Sequence, residues 1–293
     1  MQAGCQGCRS EGAAFDLAMA FQPIVDCETG RPFAFEALVR GSNGECAAEV
    51  LSKVTAENRY AFDQQCRVAA IKGAVEAGIL ATDAKLSINF LPNAVYSPAA
   101  CIQLTLKTAR EVGFPTDRLI FEFTENEQMI DTDHVRDIVG SYRKMGFTTA
   151  IDDFGAGHAG LGLLAKFQPD LIKLDMDLLR RVDQSEPRRI IVSGVMAIAR
   201  ALGIAVIAEG IETTGEYKVL RKIGIRYMQG YLLGRPGFTT LPVPLLPPSD
   251  FSAQGALQDR DAGVAMHCIL QPFGSSSLSQ MPASRYCHHG ADR

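Results

Sequence analysis

The chain has 293 residues, of which 47% are hydrophobic and 21% charged, and its formal net charge is −4 at pH 7. This composition predicts a globular protein with a sizeable buried core, in one large domain or two small ones. The negative charge excludes a global basic field for DNA or an anionic membrane. A phosphate-bearing ligand would therefore need metal ions or a few placed arginines.

The two termini carry little apolar sequence. The first twelve residues, MQAGCQGCRSEG, lack the core of a signal peptide, and the longest apolar helical stretch, 191–199, is too short to span a bilayer. We therefore expect a cytoplasmic protein without membrane insertion, whose eight cysteines are reduced thiols. Cys5-x-x-Cys8 could join the Cys-His-His run at 287–289 in a metal or redox site. A single C-x-x-C pair without a second well-spaced pair is weak evidence for such a site, so an incidental, flexible N-terminal end is favoured.

Short β-type runs alternate with helical patterns from residue 21 to residue 231. The first two runs are separated only by a CETGRP turn, which predicts an antiparallel hairpin. Later runs are joined by segments with i, i+3, i+4 apolar spacing and should pair in parallel. Eight strands with helical crossovers favour a closed barrel over an open sheet. The predicted strands are 21–26, 33–39, 85–90, 119–124, 148–153, 171–175, 205–210 and 227–231.

Helical spacing is found at 47–57, 61–77, 133–145 and 190–202, and several helices are predicted to end at a glycine: Gly78, Gly113, Gly146, Gly203 and Gly224. No GxGxxG or GxxxxGK[ST] motif follows any strand, which argues against a nucleotide-binding α/β fold of that kind. We predict a short polar segment at 1–17 that contains Cys5 and Cys8, a barrel at 18–240, and a Pro/Ser-rich tail at 241–293 that is mostly disordered.

Polar residues stand near the carboxyl ends of the predicted strands. Because those ends converge at one mouth of a barrel, we expect the side chains to meet there. Several acids in one place repel one another unless cations lie among them, and oxygen ligands favour Mg²⁺, Mn²⁺ or Ca²⁺ over zinc. The residues are Glu36, Asn89, Glu122, Asp152, Asp153, Lys173, Glu209 and Gln229.

The adjacent pair Asp152–Asp153 could reach two ions, with one carboxylate bridging them, an arrangement typical of phosphodiester hydrolysis. Lys173 would be held protonated among the acids or be available to position an attacking water. Each residue alone has a more ordinary interpretation, such as a helix cap, a turn former or a structural ion pair. The series of such groups on successive strands favours the functional interpretation.

At these residues the chain resembles the EAL-domain family of cyclic di-GMP phosphodiesterases. The resemblance covers about residues 18–237 in eight ordered blocks: FQPIV (21–25), FEALVRG (35–41), SINFLPN (87–93), FEFTE (121–125), AIDDFGAG (150–157), IKLD (172–175), AEGIET (208–213) and QGYLLGRP (229–236). It implies a TIM-type (β/α)8 barrel with an antiparallel first strand, and hydrolysis of cyclic di-GMP to linear 5′-pGpG.

The resemblance also implies roles at matching positions. Two ions, Mg²⁺ or Mn²⁺, are expected, with Ca²⁺ inhibitory. The first ion would be held by Glu36, Asn89, Glu122 and Asp152, and the second by Asp152, Asp153 and Glu209. Catalytic roles are implied for Lys173, as general base or water positioner, and for Gln229, Glu209 and Glu36. Substrate contacts are implied for Gln22, Leu38, Arg40 and Asp175, with the Arg40 guanidinium on phosphate.

One loop departs from the family pattern. Glu125 resembles the glutamate that anchors the loop at 153–161 in relatives, but His158, Ala159 and Gly160 replace the usual aromatic and two small hydroxyl residues. In relatives this loop helps to form the dimer interface and orders the second metal site. The departure therefore bears on regulation and turnover rate more than on metal binding.

Three hypotheses remain open at this point. The first is active hydrolysis of cyclic di-GMP, because every metal, lysine and glutamine position is intact. The second is a degenerate enzyme that senses the nucleotide or docks a partner protein, which the altered loop supports. The third is a phosphodiesterase for another substrate, against which Arg40 and the QPIV block argue. A homodimer is expected, and a regulatory protein partner is possible.

Overall fold

Eight strands close into a barrel in the computed structural model, which describes residues 15–91, 95, 98–124, 132–157 and 160–247. The strands follow one another around the barrel in chain order, and β1 closes it by pairing with both β2 and β8. The TIM-type barrel predicted from the sequence is therefore confirmed. The strands are Leu17–Asp26 (β1), Arg31–Gly41 (β2), Lys85–Asn89 (β3), Leu119–Thr124 (β4), Thr148–Phe154 (β5), Leu171–Leu174 (β6), Ala205–Ala208 (β7) and Tyr227–Met228 (β8).

The first strand is antiparallel to both of its barrel neighbours. β1 and β2 form the predicted hairpin, with Gln22 opposite Glu36, and β2 to β8 then pair in parallel. A ninth short strand, Gly237–Phe238 (β9), pairs with β1 at Ala20 and Phe21. A hairpin needs only a tight turn, whereas each parallel pair needs a crossover helix, so the turn at residues 27–30 decides the direction of β1.

The helices surround the barrel. They are Ala47–Leu51 (α1), Arg59–Glu76 (α2), Pro98–Cys101 (α3), Gln103–Glu111 (α4), Thr132–Lys144 (α5), Gly160–Lys166 (α6), Met176–Leu179 (α7), Glu186–Leu202 (α8) and Thr214–Ile223 (α9), with 3₁₀ turns at Ile79–Ala81 and Thr116–Arg118. All five glycines predicted to end helices have positive φ. The start of α9 is a capping box, in which Thr213 and Glu216 satisfy each other's backbone N–H groups.

Some predicted elements are shorter in the structure. The helix expected over 47–57 ends at Leu51, because the Asn58 side chain bonds the backbone of the following turn at Lys53 and Thr55. The strand expected over 227–231 ends at Met228. There the backbone at Gly230 lies so close to Ile211 that a Cβ would stand 2.1 Å from its carbonyl oxygen.

The barrel interior is built in layers that place the polar residues. One layer is a compact apolar cluster of Ile24, Ala34, Ile120, Ala150, Leu171 and Ile207. On the five parallel strands of this cluster, the residue two positions further along is Glu36, Glu122, Asp152, Lys173 or Glu209, and on antiparallel β1 it is Gln22, two positions earlier. Since side chains two apart on a strand share a face, the polar layer lies directly above the apolar one.

The described chain continues past the predicted domain boundary at residue 240. The Leu245 N–H donates to the Leu233 carbonyl oxygen over 2.8 Å, and Leu241 and Leu246 pack against the core. The rest of the predicted tail, from 248, and the N-terminal Cys5 and Cys8 lie outside the described residues. Within the described ranges, no helix combines the length and the apolar character needed to cross a membrane.

Candidate active site

The carboxyl ends of the strands bring one lysine among four carboxylates. Lys173 Nζ lies 2.7 Å from Glu209 Oε1, 2.8 Å from Glu122 Oε2, 3.3 Å from Asp152 Oδ1 and 3.5 Å from Glu36 Oε2. Lys173 and Glu122 are completely buried. Residues of β2, β4, β5 and β6, together with the residue directly after β7, thus supply one compact cluster.

Burial and neighbouring charges set the protonation of this cluster. Burial disfavours the charged form of Lys173, but the four carboxylates outweigh it and hold the pKa of the ammonium well above its ordinary value. Burial raises the pKa of Glu122 to about 8, with Glu36 and Asp152 adding to the rise and Lys173 opposing it. Burial and the neighbouring carboxylates therefore disfavour the ionised form of Glu122 unless further positive charge is added to the cluster.

A β-bulge turns two consecutive acids toward the same site. Neighbouring residues of a regular strand point to opposite faces, so Asp152 and Asp153 could not both face the barrel mouth. The pairing of β5 with β6 shifts register between Ile151 and Phe154, and Asp153 takes a φ of 58°. The Asp153 N–H donates to Asp152 Oδ1 over 2.9 Å.

Two amides border the carboxylates. Asn89 Nδ2 donates to Glu36 Oε1 over 3.1 Å, which leaves its oxygen as the atom able to face a cation. Gln229 Nε2 donates to Glu36 Oε2 over 2.7 Å and to Gln22 Oε1 over 3.2 Å. Gln229 Oε1 is buried and has no hydrogen-bond partner among the described residues. Such a group calls for a ligand, a water or an ion.

The donor set fits divalent cations. Carboxylate oxygens of Glu36, Glu122 and Asp152 all lie within 4.8 Å of one another, and so do those of Asp152, Asp153 and Glu209. Asp152 belongs to both groups, which is where a bridging ligand is expected. With all five acids ionised against one ammonium, the formal charge is −4, which two divalent ions would balance. Oxygen donors alone suit Mg²⁺, Mn²⁺ or Ca²⁺.

A cleft of about 370 Å³ opens beside this cluster. Gln22, Leu38, Glu36, Glu209 and Gln229 line it, so the structure brings two of the predicted substrate contacts to the acidic site. The lining residues that the sequence interpretation missed as site residues are Met176, Arg180, Gly210, Glu212, Gly230, Tyr231 and Arg235.

The two cleft arginines are held in different ways. Arg180 pairs with Glu212 over 2.7 Å; Glu212 falls in the block 208–213, whereas no motif marked Arg180. The guanidinium of Arg235 lies 4.3 Å from the centre of the Tyr231 ring, and both residues fall in the block 229–236, four positions apart. Their place in that block is the sequence signal that could have indicated them.

The other two predicted substrate residues lie differently. Arg40 Nη1 donates to the carbonyl of Val39 over 2.7 Å, and Arg40 does not line this cleft. Asp175 caps α7, accepting from the Asp177 N–H over 2.6 Å. Their substrate contacts stay predictions. The loop-anchoring role of Glu125 and the altered loop residues His158 and Ala159 lie outside the described residues.

One buried contact was not foreseen. The Ser87 hydroxyl donates to Glu122 Oε1, and Ser87 is fully buried on β3. It lies two residues before Asn89 on the same strand face, which is the only sequence signal for it. The hydrogen bond fixes one Glu122 oxygen, while Lys173 holds the other.

A sequence model described as "EAL domain" matches residues 10–236, which is most of the chain. The chain belongs to the EAL-domain family. The barrel, its antiparallel first strand and the acidic mouth are thus features of an EAL domain, and the resemblance drawn from the sequence motifs is confirmed.

Curated relatives of this EAL domain are mostly longer proteins. The blue light- and temperature-regulated antirepressor BluF of Escherichia coli is 32% identical over 225 residues, 76% of this chain and 55% of BluF. The probable cyclic di-GMP phosphodiesterase PdeA of Escherichia coli is 29% identical over 152 residues, 52% of this chain and 21% of PdeA. The chain thus spans about half the length of BluF and about a fifth of PdeA.

Solved EAL structures are similar throughout the barrel. A standalone versatile EAL protein from Vibrio cholerae O395, in its c-di-GMP bound form, has a TM-score of 0.77 and 46% identity, covering 83% of this chain and all of that one. Klebsiella pneumoniae BlrP1, in a manganese and cyclic di-GMP complex, has a TM-score of 0.72 and 36% identity, covering 76% of this chain and 57% of BlrP1. A calcium complex of BlrP1 with cyclic di-GMP is also similar.

Proposed function

We propose that this EAL domain hydrolyses cyclic di-GMP to linear 5′-pGpG in a reaction that depends on Mg²⁺ or Mn²⁺. The observation that carries the proposal is the presence of two three-carboxylate clusters that share Asp152. They lie beside a cleft lined by Gln22, Leu38 and Arg235. Relatives named as cyclic di-GMP phosphodiesterases, and structures with cyclic di-GMP and manganese, support the substrate and the metal.

Each site residue has a specific role in this proposal, either in holding a metal ion or in positioning water. Glu36, Asn89, Glu122 and Asp152 hold one ion, and Asp152, Asp153 and Glu209 hold the other. When bound, the ions would stabilise the negative charge that develops on the phosphate and its attacking and leaving oxygens. Lys173, held by carboxylates of both groups, directs an N–H toward the attacking water, and Gln229 orients Glu36.

The cleft residues select the substrate. Arg235 provides positive charge that the phosphates of a cyclic dinucleotide need, and Arg180 lines the same cleft as an ion pair with Glu212. Arg40 is proposed to add a contact at the outer end of β2. Tyr231, with Arg235 over its ring, offers an aromatic surface to a guanine base. Asp175 is proposed to act at the guanine side, while it caps α7.

Hydrolysis is tested by incubating the protein with cyclic di-GMP and Mg²⁺, Mn²⁺, Ca²⁺ or EDTA, with products separated by chromatography. We expect pGpG with Mg²⁺ or Mn²⁺ and none with EDTA. Ca²⁺ should inhibit, because its longer and more numerous bonds do not reproduce the octahedral geometry of the smaller ions.

Glu36→Ala should abolish turnover. Glu49→Ala, which removes an exposed acid on α1, should not. Full turnover in Glu36→Ala would refute the metal assignment.

A second candidate is a protein-docking or sensing EAL domain with weak or no turnover. The name of BluF, an antirepressor that is 32% identical to this chain, favours it. In that case cyclic di-GMP would bind with Ca²⁺ or Mn²⁺, but no pGpG would form with either Mg²⁺ or Mn²⁺. Binding without product would therefore place the docking function, with a regulatory protein partner, ahead of hydrolysis.

We also propose that the protein is a homodimer. Leu161 on α6 is 56% exposed, and α8 exposes Ile190 and Ile191 at 64% and 51%. Gly194, one turn further along α8, has open space where a Cβ would stand. An exposed row of isoleucines beside a glycine lets two copies of the helix pack closely, and a second copy of the same face is the simplest complement.

A further inference from the structure

We propose that Asp63 is a positioning residue for the metal ligand Asn89, acting through the backbone of the segment that follows β3. Asp63 lies on α2, outside the barrel, and is 3% exposed. Its Oδ1 accepts the Leu91 N–H over 3.0 Å, two residues beyond Asn89. The inference rests on the proposed function in taking Asn89 as a ligand of the first ion.

The strand ladder ends at Asn89, so the chain needs another support there. Pairing of β3 with β2 ends at Ile88, and pairing with β4 ends at Asn89. The Phe90 N–H then donates to the Glu122 carbonyl over 2.9 Å. The next N–H, that of Leu91, is directed to Asp63 instead of to a strand.

Among the described residues, aromatic packing supports one side of this segment. The Phe90 ring packs against Phe121, Phe123 and Tyr142. A cavity of about 130 Å³, lined mainly by apolar side chains of β1, β2 and α2, also borders Asn89, Phe90, Leu91 and Asp63. A cavity lining gives the strand end few packing contacts on that side, and there the Leu91 N–H donates to Asp63 Oδ1.

Arg67 orients the Asp63 carboxylate. Arg67 is one helical turn further along α2, is completely buried, and forms a salt bridge with Asp63 Oδ2. Its Nε also faces the Asp63 carbonyl. A buried carboxylate is costly without such a partner. With Oδ2 on Arg67, Oδ1 is directed to Leu91, and the pair links the rigid helix to the strand end.

The test separates the hydrogen bond from the charge pair. Asp63→Asn/Arg67→Met removes both charges but keeps an oxygen for the Leu91 N–H. Asp63→Leu/Arg67→Met removes the acceptor as well. A buried ion pair can be replaced by apolar residues with little loss of stability. Thermal unfolding without added metal checks that the two variants have the same stability. Asp63→Ala/Arg67→Met replaces the leucine variant if that variant does not fold.

Mn²⁺ affinity is then measured by calorimetry in the absence of nucleotide. We expect the asparagine variant to bind Mn²⁺ like the parent, and the leucine variant to bind about tenfold more weakly, as when an outer partner of a metal ligand is lost. In an Asn89→Ala background the difference between the two variants should disappear, because the effect passes through Asn89.

Three results would overturn the inference. Equal Mn²⁺ affinity in the asparagine and leucine variants would show that the hydrogen bond does not position a ligand. A difference that persists in the Asn89→Ala background would show that Asp63 acts elsewhere. If the parent protein binds no Mn²⁺, the metal site itself is wrong and the inference falls with the proposed function.

Discussion

Lys173 shows how one residue depends on its surroundings. In the sequence it is a single lysine within the apolar run IKLD, and such a lysine is usually part of a structural ion pair. In the structure it contacts carboxylates of both candidate metal groups and is completely buried. A lysine placed between two ligand sets is well located to direct an attacking water, and this position distinguishes it from an ordinary core salt bridge.

Lys173→Met should leave cyclic di-GMP binding within a few-fold of the parent and lower kcat by about 10²–10⁴-fold, the range for a positioned proton-transfer or water-orienting group. Binding is measured with Ca²⁺ and turnover with Mn²⁺. Lys85→Met is the matched control, because Lys85 begins β3 at the opposite end of the barrel, where its Nζ bonds the Asp117 carbonyl. Loss of binding equal to the loss of turnover would indicate a structural lysine.

At the scale of elements, the closure of the barrel depends on the short strand β8. Tyr227 and Met228 pair with β7 on one side and with Asp26 and Val25 of β1 on the other. So short a strand has few ladder hydrogen bonds. Side chains add to them, since Arg226 makes two bonds to Asp26, of 2.9 and 2.6 Å, and Phe33 stacks on Tyr227.

The Asp26–Arg226 pair should make the stability of the barrel depend on acid pH. Burial opposes ionisation of Asp26, but Arg226 and the Glu28 N–H outweigh it and hold the pKa of Asp26 below its ordinary value of 3.8. The folded state therefore binds fewer protons than the unfolded state, so this stabilisation is present above pH 3.8 and is lost as the pH falls through the lowered pKa.

Urea unfolding from pH 6 to pH 2.5 measures this dependence. Asp26→Asn should be less stable than the parent at pH 6, and the difference between them should narrow toward pH 2.5. The stability difference between the parent and Arg226→Met should also narrow toward pH 2.5. Without the guanidinium, the pKa of Asp26 returns toward its unfolded value, so the variant lacks the stabilisation that the parent loses in acid. A parent-to-variant difference that stays constant over this range would contradict the prediction.

At the scale of the whole molecule, the barrel has one functional end and one exposed apolar side. The acidic cluster and the cleft lie where the strands end, while α6 and α8 present large apolar side chains on the outer surface. α8 begins directly after the segment that carries Asp175 and Arg180, and Arg188 of α8 bonds the Asp177 carbonyl of α7. A partner packed on α8 would thus be connected to the rim of the cleft.

Ile191→Glu should convert a dimer to a monomer, because it places a charge in the centre of the proposed contact. Sedimentation velocity at several protein concentrations measures the change, and an increase of at least tenfold in the dissociation constant is expected. Leu104→Glu, at a 44% exposed leucine on α4, is the control and should leave the dimer unchanged. A parent protein that sediments as a monomer would refute the homodimer.

Periodicity and turn chemistry in the sequence determined the barrel, its antiparallel first strand, the helix-ending glycines and the polar residues at the strand ends, because these features follow from local backbone preferences. The ordered motif blocks indicated the family. Only the tertiary structure decided that a bulge turns Asp153 to the same site as Asp152, that Ser87 holds Glu122, and that Arg180 and Glu212 line the cleft. The bulge depends on how β5 pairs with β6, and the other contacts join segments more than thirty residues apart, so all of them exist only in the folded barrel.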